Sequence, residues 1–170
     1  MDDENFQTFI VLNKLELLQQ LIGNLAAKIE GFERSARAAH AEATHEQNKA
    51  ENKYDTRALE ASYLAEGQTR QAAEVMQAIE LLNTFSPRAF GPKDAVALGA
   101  LVSLEGADGC DWYFLTPCAG GTELVQENTV VLVLSPHSPL GQQLIGCRLG
   151  EKLRLGFGKQ RSDYLLKSLA

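Results

Sequence analysis

Apolar residues in the first half of the chain recur in alternating steps of three and four. A first seam comprises Leu15, Leu18, Ile22, Leu25, Ile29, Phe32, Ala36, Ala39 and Ala43. A second seam comprises Tyr54, Ala58, Ala61, Ala65, Gln68, Ala72, Val75, Ile79 and Leu82. This spacing is typical of coiled coils and predicts two long helices. The stretch between the seams, residues 45–53, contains no large apolar residue and predicts a polar turn.

The two seams become mirror images if the chain folds back between them. Leu15 would then face Leu82, Ile22 would face Val75, and the alanines would meet near the turn. The first seam would be about 40 Å long, because a helix rises about 1.5 Å per residue. The sequence therefore predicts an N-terminal antiparallel coiled-coil hairpin with a polar tip. The alternative is a coiled coil between separate copies of the chain.

The hydrophobic period changes from helical to twofold after Phe85. All five prolines follow this residue, and they break helices. Alternation from Val96 to Leu104 predicts a strand with one buried face. Four further strands are predicted at residues 111–116, 129–134, 152–155 and 163–166. Residues 107–109, which read Ala-Asp-Gly, predict the turn into the second strand.

One short helix is predicted inside the second half. Ser138 is a candidate N-cap, Pro139 suits the first helical position and Gly146 suits the C-terminal stop. The predicted inner face consists of Leu140, Leu144 and Ile145. The fold class is thus α+β, with the hairpin in residues 1–85, a linker in residues 86–94 and a β-sheet domain with one short helix in residues 95–170.

The net charge of -6 lies entirely in the first half of the chain. Residues 1–85 hold 8 Lys and Arg against 14 Asp and Glu, whereas residues 86–170 hold 8 of each. Without a basic face we expect no direct binding to duplex DNA. No apolar run is long enough for a membrane helix and the start is acidic, so we expect a cytoplasmic protein. Cys110, Cys118 and Cys147 lack disulfide or zinc spacing, and we expect buried, reduced thiols.

The common catalytic motifs are missing from the sequence, which leaves the tip as the candidate for chemistry. Oxygen ligands of the kind Mg²⁺ prefers come from Glu46, Asn48, Glu51, Asn52 and Asp55. Because magnesium usually shares its ligands with waters and a second group, the tip could complete a site belonging mostly to a partner. The alternative is a charged, solvated loop.

The segment from Ser135 to Lys152 reads S-P-H-S-P-L-G-Q-Q-L-I-G-C-R-L-G-E-K. It resembles the signature of the bacterial GreA/GreB transcript cleavage factors, which begins S-P-x-S-P and ends in G followed by D or E. Glu51-Asn52, followed by Tyr54, resembles the tip motif of that family, D-L-x-E-N-x-E-Y. The order of the two halves also fits, so the resemblance covers nearly the whole chain.

This resemblance implies an FKBP-like C-terminal domain that binds RNA polymerase at its secondary channel while the hairpin enters the channel. It implies partner contacts at Asn52, Tyr54, Ser135, Pro136, Ser138, Pro139, Leu140 and Gly141. The tip residues Glu46, Asn48, Glu51 and Asp55 would assist cleavage of RNA by the polymerase, with Glu51 sharing a Mg²⁺ ion. The chain would then be a monomer with no cofactor of its own, and not itself an enzyme.

The sequence departs from the family pattern at the tip. Asn48 stands where the family has an aspartate, Lys49 replaces a hydrophobic residue, and the tyrosine comes one residue early. A neutral amide and an added lysine weaken cation binding, so we expect weak or absent stimulation of cleavage. The alternative function is a non-catalytic scaffold or protein-binding module unrelated to transcription.

Overall fold

A computed structural model describes residues 12–44, 57–157 and 160–170. The helices are α1 (Lys14–Thr44), α2 (Arg57–Thr84) and α3 (Pro139–Leu144). The strands are β1 (Leu101–Gly106), β2 (Gly109–Leu115), β3 (Glu123–Gln126), β4 (Thr129–Leu134), β5 (Lys152–Phe157) and β6 (Gln160–Leu169). The α+β class is confirmed. The chain forms two compact units, the sheet unit of Met1–Gln20 with Ser86–Ala170, and the helical unit of Leu21–Phe85. The start of α1 thus groups with the sheet, whereas the sequence suggested one domain from residue 1 to 85.

In the helical unit, burial follows the predicted helical period. Leu25 and Leu82 are buried, and half-buried positions occur at Ile22, Ile29, Phe32, Ala36, Gln68, Ala72, Val75 and Ile79. A cavity of about 410 Å³ is lined by residues of both helices, among them Phe32 and Ala72. The two helices therefore lie side by side at this level. The side chains of Ala39, Ala43, Tyr54, Ala58, Ala61 and Ala65 lie outside the described part of the chain.

The first seam begins differently from the prediction. Leu15 is 59% exposed, so its place in the seam is wrong. Leu17, which the spacing left out, is completely buried, and Leu18 is buried as predicted. Leu15, Leu17 and Leu18 all belong to the sheet unit, so the coiled-coil period of the helical unit does not extend to the start of α1.

The six described strands form one mixed sheet in the order β3-β4-β2-β1-β6-β5. β2 and β4 are parallel, and the other neighbours are antiparallel. The sequence missed β3. It pairs with β4 through a two-residue turn in which Glu127 and Asn128 have φ angles of 49° and 59°. Such a turn favours Gly or Asn at both positions. Because Glu127 is not typical of it, the sequence did not predict the turn.

One face of the sheet carries the core below α3. Its buried side chains include Val102, Leu104, Leu115, Leu134, Leu144 and Leu166. For α3, the buried position of Leu144 is confirmed and Leu140 is half-buried. The prediction for Ile145 is wrong, because the helix ends at Leu144 and Ile145 caps it with 42% exposure. Gly141 is buried instead.

The opposite face of the sheet is apolar in one half and charged in the other. Buried side chains of β1 to β4 on this face are Leu101, Phe114, Leu124, Val131 and Val133. In the half formed by β5 and β6, Lys167 pairs with Glu105 at 2.6 Å and Arg154 lies 3.9 Å from Asp163. Because these ion pairs are exposed, they contribute little to stability.

Residues 86–94, predicted as a linker, are tied into the sheet unit by a cation-π cluster. The ring of Phe90 lies 3.9 Å from the guanidinium carbon of Arg88 and 5.1 Å from the ammonium of Lys14. Lys14 donates a hydrogen bond to the carbonyl of Arg88, and Arg88 pairs with Asp94 at 3.2 Å. Burial, followed by the charge of Arg88, lowers the pKa of Lys14.

Because of Tyr113, the free energy of unfolding of the sheet unit should change with pH in the alkaline range. Burial, followed by the charge of Asp111 and by Tyr164, raises its pKa to about 12. A tyrosine in an unfolded chain titrates near 10. Between about pH 10 and 12 the unfolded chain therefore loses a proton that the folded chain keeps, so the free energy of unfolding should fall across this window.

Denaturant unfolding at a series of alkaline pH values tests this expectation. Tyr113→Phe should flatten the fall, whereas Tyr63→Phe should not, because Tyr63 is 65% exposed. An unchanged pH dependence in Tyr113→Phe would contradict the assignment.

Candidate partner-binding surface

The turn that leads into α3 is built around the two serines of the S-P-H-S-P segment. The carbonyl of Ser135 accepts hydrogen bonds from the N–H and the hydroxyl of Ser138, at 3.0 and 2.8 Å. The hydroxyl of Ser138 accepts a third from the N–H of Gly141 at 3.0 Å. Ser138 has extended backbone angles, and Pro139 follows as the first helical residue. The predicted N-cap is confirmed, and it fixes the direction in which α3 begins.

Two glycines pack directly against the backbone of Ser135. A Cβ atom added to Gly141 would lie 2.2 Å from the carbonyl oxygen of Ser135. One added to Gly120 would lie 2.9 Å from its backbone nitrogen. No side chain fits at either position without displacing backbone, so the turn is held between α3 and the loop of residues 117–121.

The C-terminal end of α3 is fixed as well. Gly146 follows the helix with a φ angle of 91°, as the predicted stop requires, and its N–H donates to the carbonyl of Val96. The N–H of Val96 in turn donates to the carbonyl of Cys147, and both distances are 2.8 Å. Because both ends are anchored, α3 holds the preceding turn rigidly against the sheet.

A groove of about 640 Å³ lies beside this turn. Its walls are the loop of residues 117–121, one end of β4 and the turn itself. Among the residues that the structure describes, those that line the groove include no Asp, Glu, Lys or Arg. They are Pro117, Cys118, Ala119, Gly120, Gly121, Leu132, Leu134, Ser135, His137, Ser138, Pro139 and Leu140. Such a surface suits an apolar ligand or protein partner.

The apolar surface extends from the groove along β4 onto β3. Val130 shares a face with Leu132 and Leu134, because alternate residues of a strand point the same way. Val130 is 54% exposed, and its cross-strand neighbour Val125 is 55% exposed. We call Val125, Val130, Leu132 and Leu140 the apolar strip, which borders the buried Leu134 on the same face. Contiguous exposed apolar surfaces mark interaction sites on soluble proteins.

Two cysteines of the sheet unit, Cys118 in the groove and Cys147 after α3, have thiol pKa values that burial raises. Burial raises the pKa of the Cys118 thiol, and burial followed by the charge of Glu151 raises that of Cys147. Both thiols therefore stay protonated at neutral pH, where thiols are poor nucleophiles. Cys110 is exposed, so the expectation that all three cysteines are buried is wrong. Within the described residues, no group of three His, Cys, Asp or Glu could hold a metal ion.

The predicted site residues fall into two sets. Those at the tip, Glu46, Asn48, Glu51, Asn52, Tyr54 and Asp55, lie outside the residues that the structure describes. Those in the S-P-H-S-P segment come together: Ser135, Ser138, Pro139 and Leu140 line the groove, Pro136 lies in the turn, and Gly141 is buried below it. Their role as partner contacts stays a prediction.

Sequence reasoning missed the other walls of the groove. Residues 117–121 contain proline and two glycines, and this composition gives no sign of a binding surface. Residues 129–134 form a continuous apolar run, and such a run does not show which face of the strand is left uncovered. Leu132 is only half-buried, whereas Val131 and Val133 are buried, and this difference emerged only once the neighbouring strands were placed.

Solved structures similar to the chain include three of Gfh1 proteins. No protein-family model matches the chain, and no curated protein is similar to it. The structures are the GreA factor homolog 1 (Gfh1) protein of Thermus thermophilus, a transcription factor Gfh1, and Gfh1 of Thermus aquaticus, at 18%, 21% and 19% identity. Each comparison covers 90% of this chain and 94%, 92% and 93% of the other chain, with TM-scores of 0.37, 0.37 and 0.36. Similarity at this level establishes neither the family nor the activity of the chain.

The structure offers no candidate for a membrane span in residues 12–44, 57–157 and 160–170. None of the helices there combines the length and the hydropathy that crossing a bilayer requires.

Proposed function

We propose that the chain is a cytoplasmic transcription elongation factor of GreA/GreB type that binds RNA polymerase at its secondary channel. The observation that carries the proposal is the S-P-H-S-P segment, which resembles the signature of that family. It forms a capped, rigid turn beside an apolar groove. A rigid turn next to uncovered apolar surface is suited to docking on another protein, because little conformational entropy is lost on binding.

The helical unit supplies the second part of the proposed mechanism. α1 has 31 residues and α2 has 28, which correspond to about 46 and 42 Å of helix. The half-buried seams and the cavity shared by Phe32 and Ala72 support an antiparallel coiled coil in this unit. We propose that it forms the hairpin that enters the channel, with an FKBP-like sheet domain as its anchor.

The tip of the proposed hairpin determines whether cleavage is stimulated. In a reaction that uses two metal ions, a carboxylate that helps to hold the second ion favours attack by water. Glu51 can provide one such ligand, but Asn48 is neutral and Lys49 adds a positive charge. We therefore propose weak or absent stimulation of cleavage. In this account the chain is a monomer and not itself an enzyme, and it shares Mg²⁺ only with the polymerase.

Binding to core RNA polymerase is the first test. The purified chain should form a complex, and Val130→Glu should lower the affinity about tenfold or more, because a charge would replace exposed apolar contact surface. Leu149→Glu is the matched control, since Leu149 is 39% exposed and lies outside the apolar strip. A chain that does not bind the polymerase would overturn the proposed function. If the two variants bound the polymerase with equal affinity, the apolar strip would not be part of the interface.

The second test measures RNA cleavage in a backtracked polymerase complex. The native chain should shorten the transcript slowly or not at all. Asn48→Asp should raise the rate on the order of tenfold, which corresponds to about 1.4 kcal/mol of transition-state stabilisation. Glu51→Ala should remove this gain, whereas Glu66→Ala, at an exposed ion pair with Arg70, should leave it unchanged. Rapid Glu51-dependent cleavage by the native chain would contradict the proposed weakness of the tip.

A further inference from the structure

β3 is an edge strand whose outer side needs hydrogen-bonding partners. Among the described strands it pairs with β4 alone, and the register joins Gln126 to Thr129 and Leu124 to Val131. In an antiparallel pair, successive residues direct their backbone groups alternately toward and away from the partner strand. The N–H and C=O of Val125 therefore point away from β4. Edge groups of this kind are a template for pairing with another chain.

The side chain of Gln20 lies against the outward backbone groups of Val125, where a neighbouring strand would pair. The N–H of Val125 donates to its Oε1 at 3.2 Å, and its Nε2 donates to the carbonyl of Val125 at 3.3 Å. A carboxamide carries the same donor and acceptor as a peptide group. Gln20 therefore satisfies both outward groups of Val125 in the way that a residue of a neighbouring strand would.

A second glutamine strengthens the contact between α1 and β3. The Oε1 of Gln126 accepts from the N–H of Asn13 at 2.7 Å, and its Nε2 donates to Glu16 at 2.5 Å. Asn13 is also the cap of α1, because its Oδ1 accepts from the N–H of Leu15 at 2.9 Å. The first turns of α1 are thus held along the outer side of β3 by four hydrogen bonds.

The apolar composition of β3 and β4 makes it important that the outer side of β3 is covered. Val125 and Val130 are more than half exposed, and β4 reads T-V-V-L-V-L. Segments with such high β-propensity and no charge associate readily when an edge is open. Apart from Glu123, β3 carries no charged side chain that would hinder pairing. Protection of this edge therefore falls mainly on α1.

We propose that Gln20 acts as a surrogate strand residue that closes the β3 edge and keeps a second copy of the chain from adding its own β3 there. This device concerns self-association and does not depend on polymerase binding.

The test compares Gln20→Ala with Gln19→Ala in the full chain. Gln19 is the neighbouring exposed glutamine, so the control changes the same side chain on the same helix. In Gln20→Ala, at concentrations where the variant is monomeric, exchange of the Val125 amide with deuterium, followed by NMR, should accelerate about fivefold to tenfold, the effect of losing one or two hydrogen bonds. Light scattering should show a mass that rises from monomer toward dimer with concentration. Gln19→Ala should match the native chain in both measurements.

Two further variants separate edge pairing from general misfolding. Gln20→Glu keeps an acceptor for the Val125 N–H but loses the donor to the Val125 carbonyl. Its Val125 exchange should therefore stay close to that of the native chain, whereas its mass in light scattering should rise with concentration even if Gln20→Ala does not fold. Val125→Lys added to Gln20→Ala should restore the monomer, because a lysine on an edge strand opposes pairing. Association that persists in the double variant, or Val125 exchange equal in all chains, would overturn the proposal. So would faster exchange in a Gln20 variant that stays monomeric at every concentration.

Discussion

Replacing Gly141 by alanine should lower the free energy of unfolding of the sheet unit by about 3 kcal/mol, at the upper end of the usual cost of overpacking. The added methyl would lie 2.2 Å from the carbonyl oxygen of Ser135 and 2.8 Å from the hydroxyl of Ser138. The nearer atom is backbone, so relief requires α3 to move away from the turn. That movement would also break the hydrogen bond from the Gly141 N–H to Ser138.

Urea unfolding followed by the fluorescence of Trp112 measures this effect, because the only tryptophan of the chain lies in β2. Since Gly141→Ala also displaces one wall of the groove, it should weaken polymerase binding under conditions where the protein is still folded. An unchanged unfolding midpoint would show that α3 and the turn adapt without cost.

Replacing Gly23 by alanine should instead raise the stability of the protein. Gly23 lies inside α1, and an added Cβ atom would meet nothing within 4 Å. Alanine stabilises a helix interior by about 0.5 to 1 kcal/mol relative to glycine. Thermal unfolding followed by far-UV circular dichroism should therefore shift upward for Gly23→Ala. Effects of the same sign at both glycines would contradict the packing described for Gly141.

Leu17→Ala should cost about 3 kcal/mol, whereas Leu15→Ala should change stability by less than about 0.5 kcal/mol. Leu17 is completely buried and Leu15 is 59% exposed, although they lie two residues apart on α1. Leucine and alanine have similar helix propensities, so the difference reports burial alone. Trp112 fluorescence in urea measures it for the sheet unit.

The pair of variants also decides between two descriptions of α1. The spacing of apolar residues placed Leu15 in a coiled-coil seam and left Leu17 out. If Leu15→Ala proved more destabilising than Leu17→Ala, the coiled-coil period would hold at the start of α1 and the burial of Leu17 would be contradicted.

Local signals in the sequence determined a large part of the secondary structure of this protein. The change of period at Phe85, the cap at Ser138 and the stop at Gly146 all depend on backbone geometry within a few residues. For that reason both long helices, α3 and β4 could be predicted close to their observed bounds. The resemblance of residues 135–152 to a known signature likewise required nothing beyond the order of residues.

Tertiary structure decided what depends on residues far apart in the chain. Leu17 is buried and Leu15 is exposed at the start of α1, which groups with the sheet unit and not with the helical unit. β3 exists as a strand because β4 lies beside it, although Glu127 is an unfavourable turn residue. The groove beside Ser135 and the closure of Val125 by Gln20 join segments about 15 and 105 residues apart. No periodicity encodes such contacts, since burial depends on which surface arrives from elsewhere in the chain.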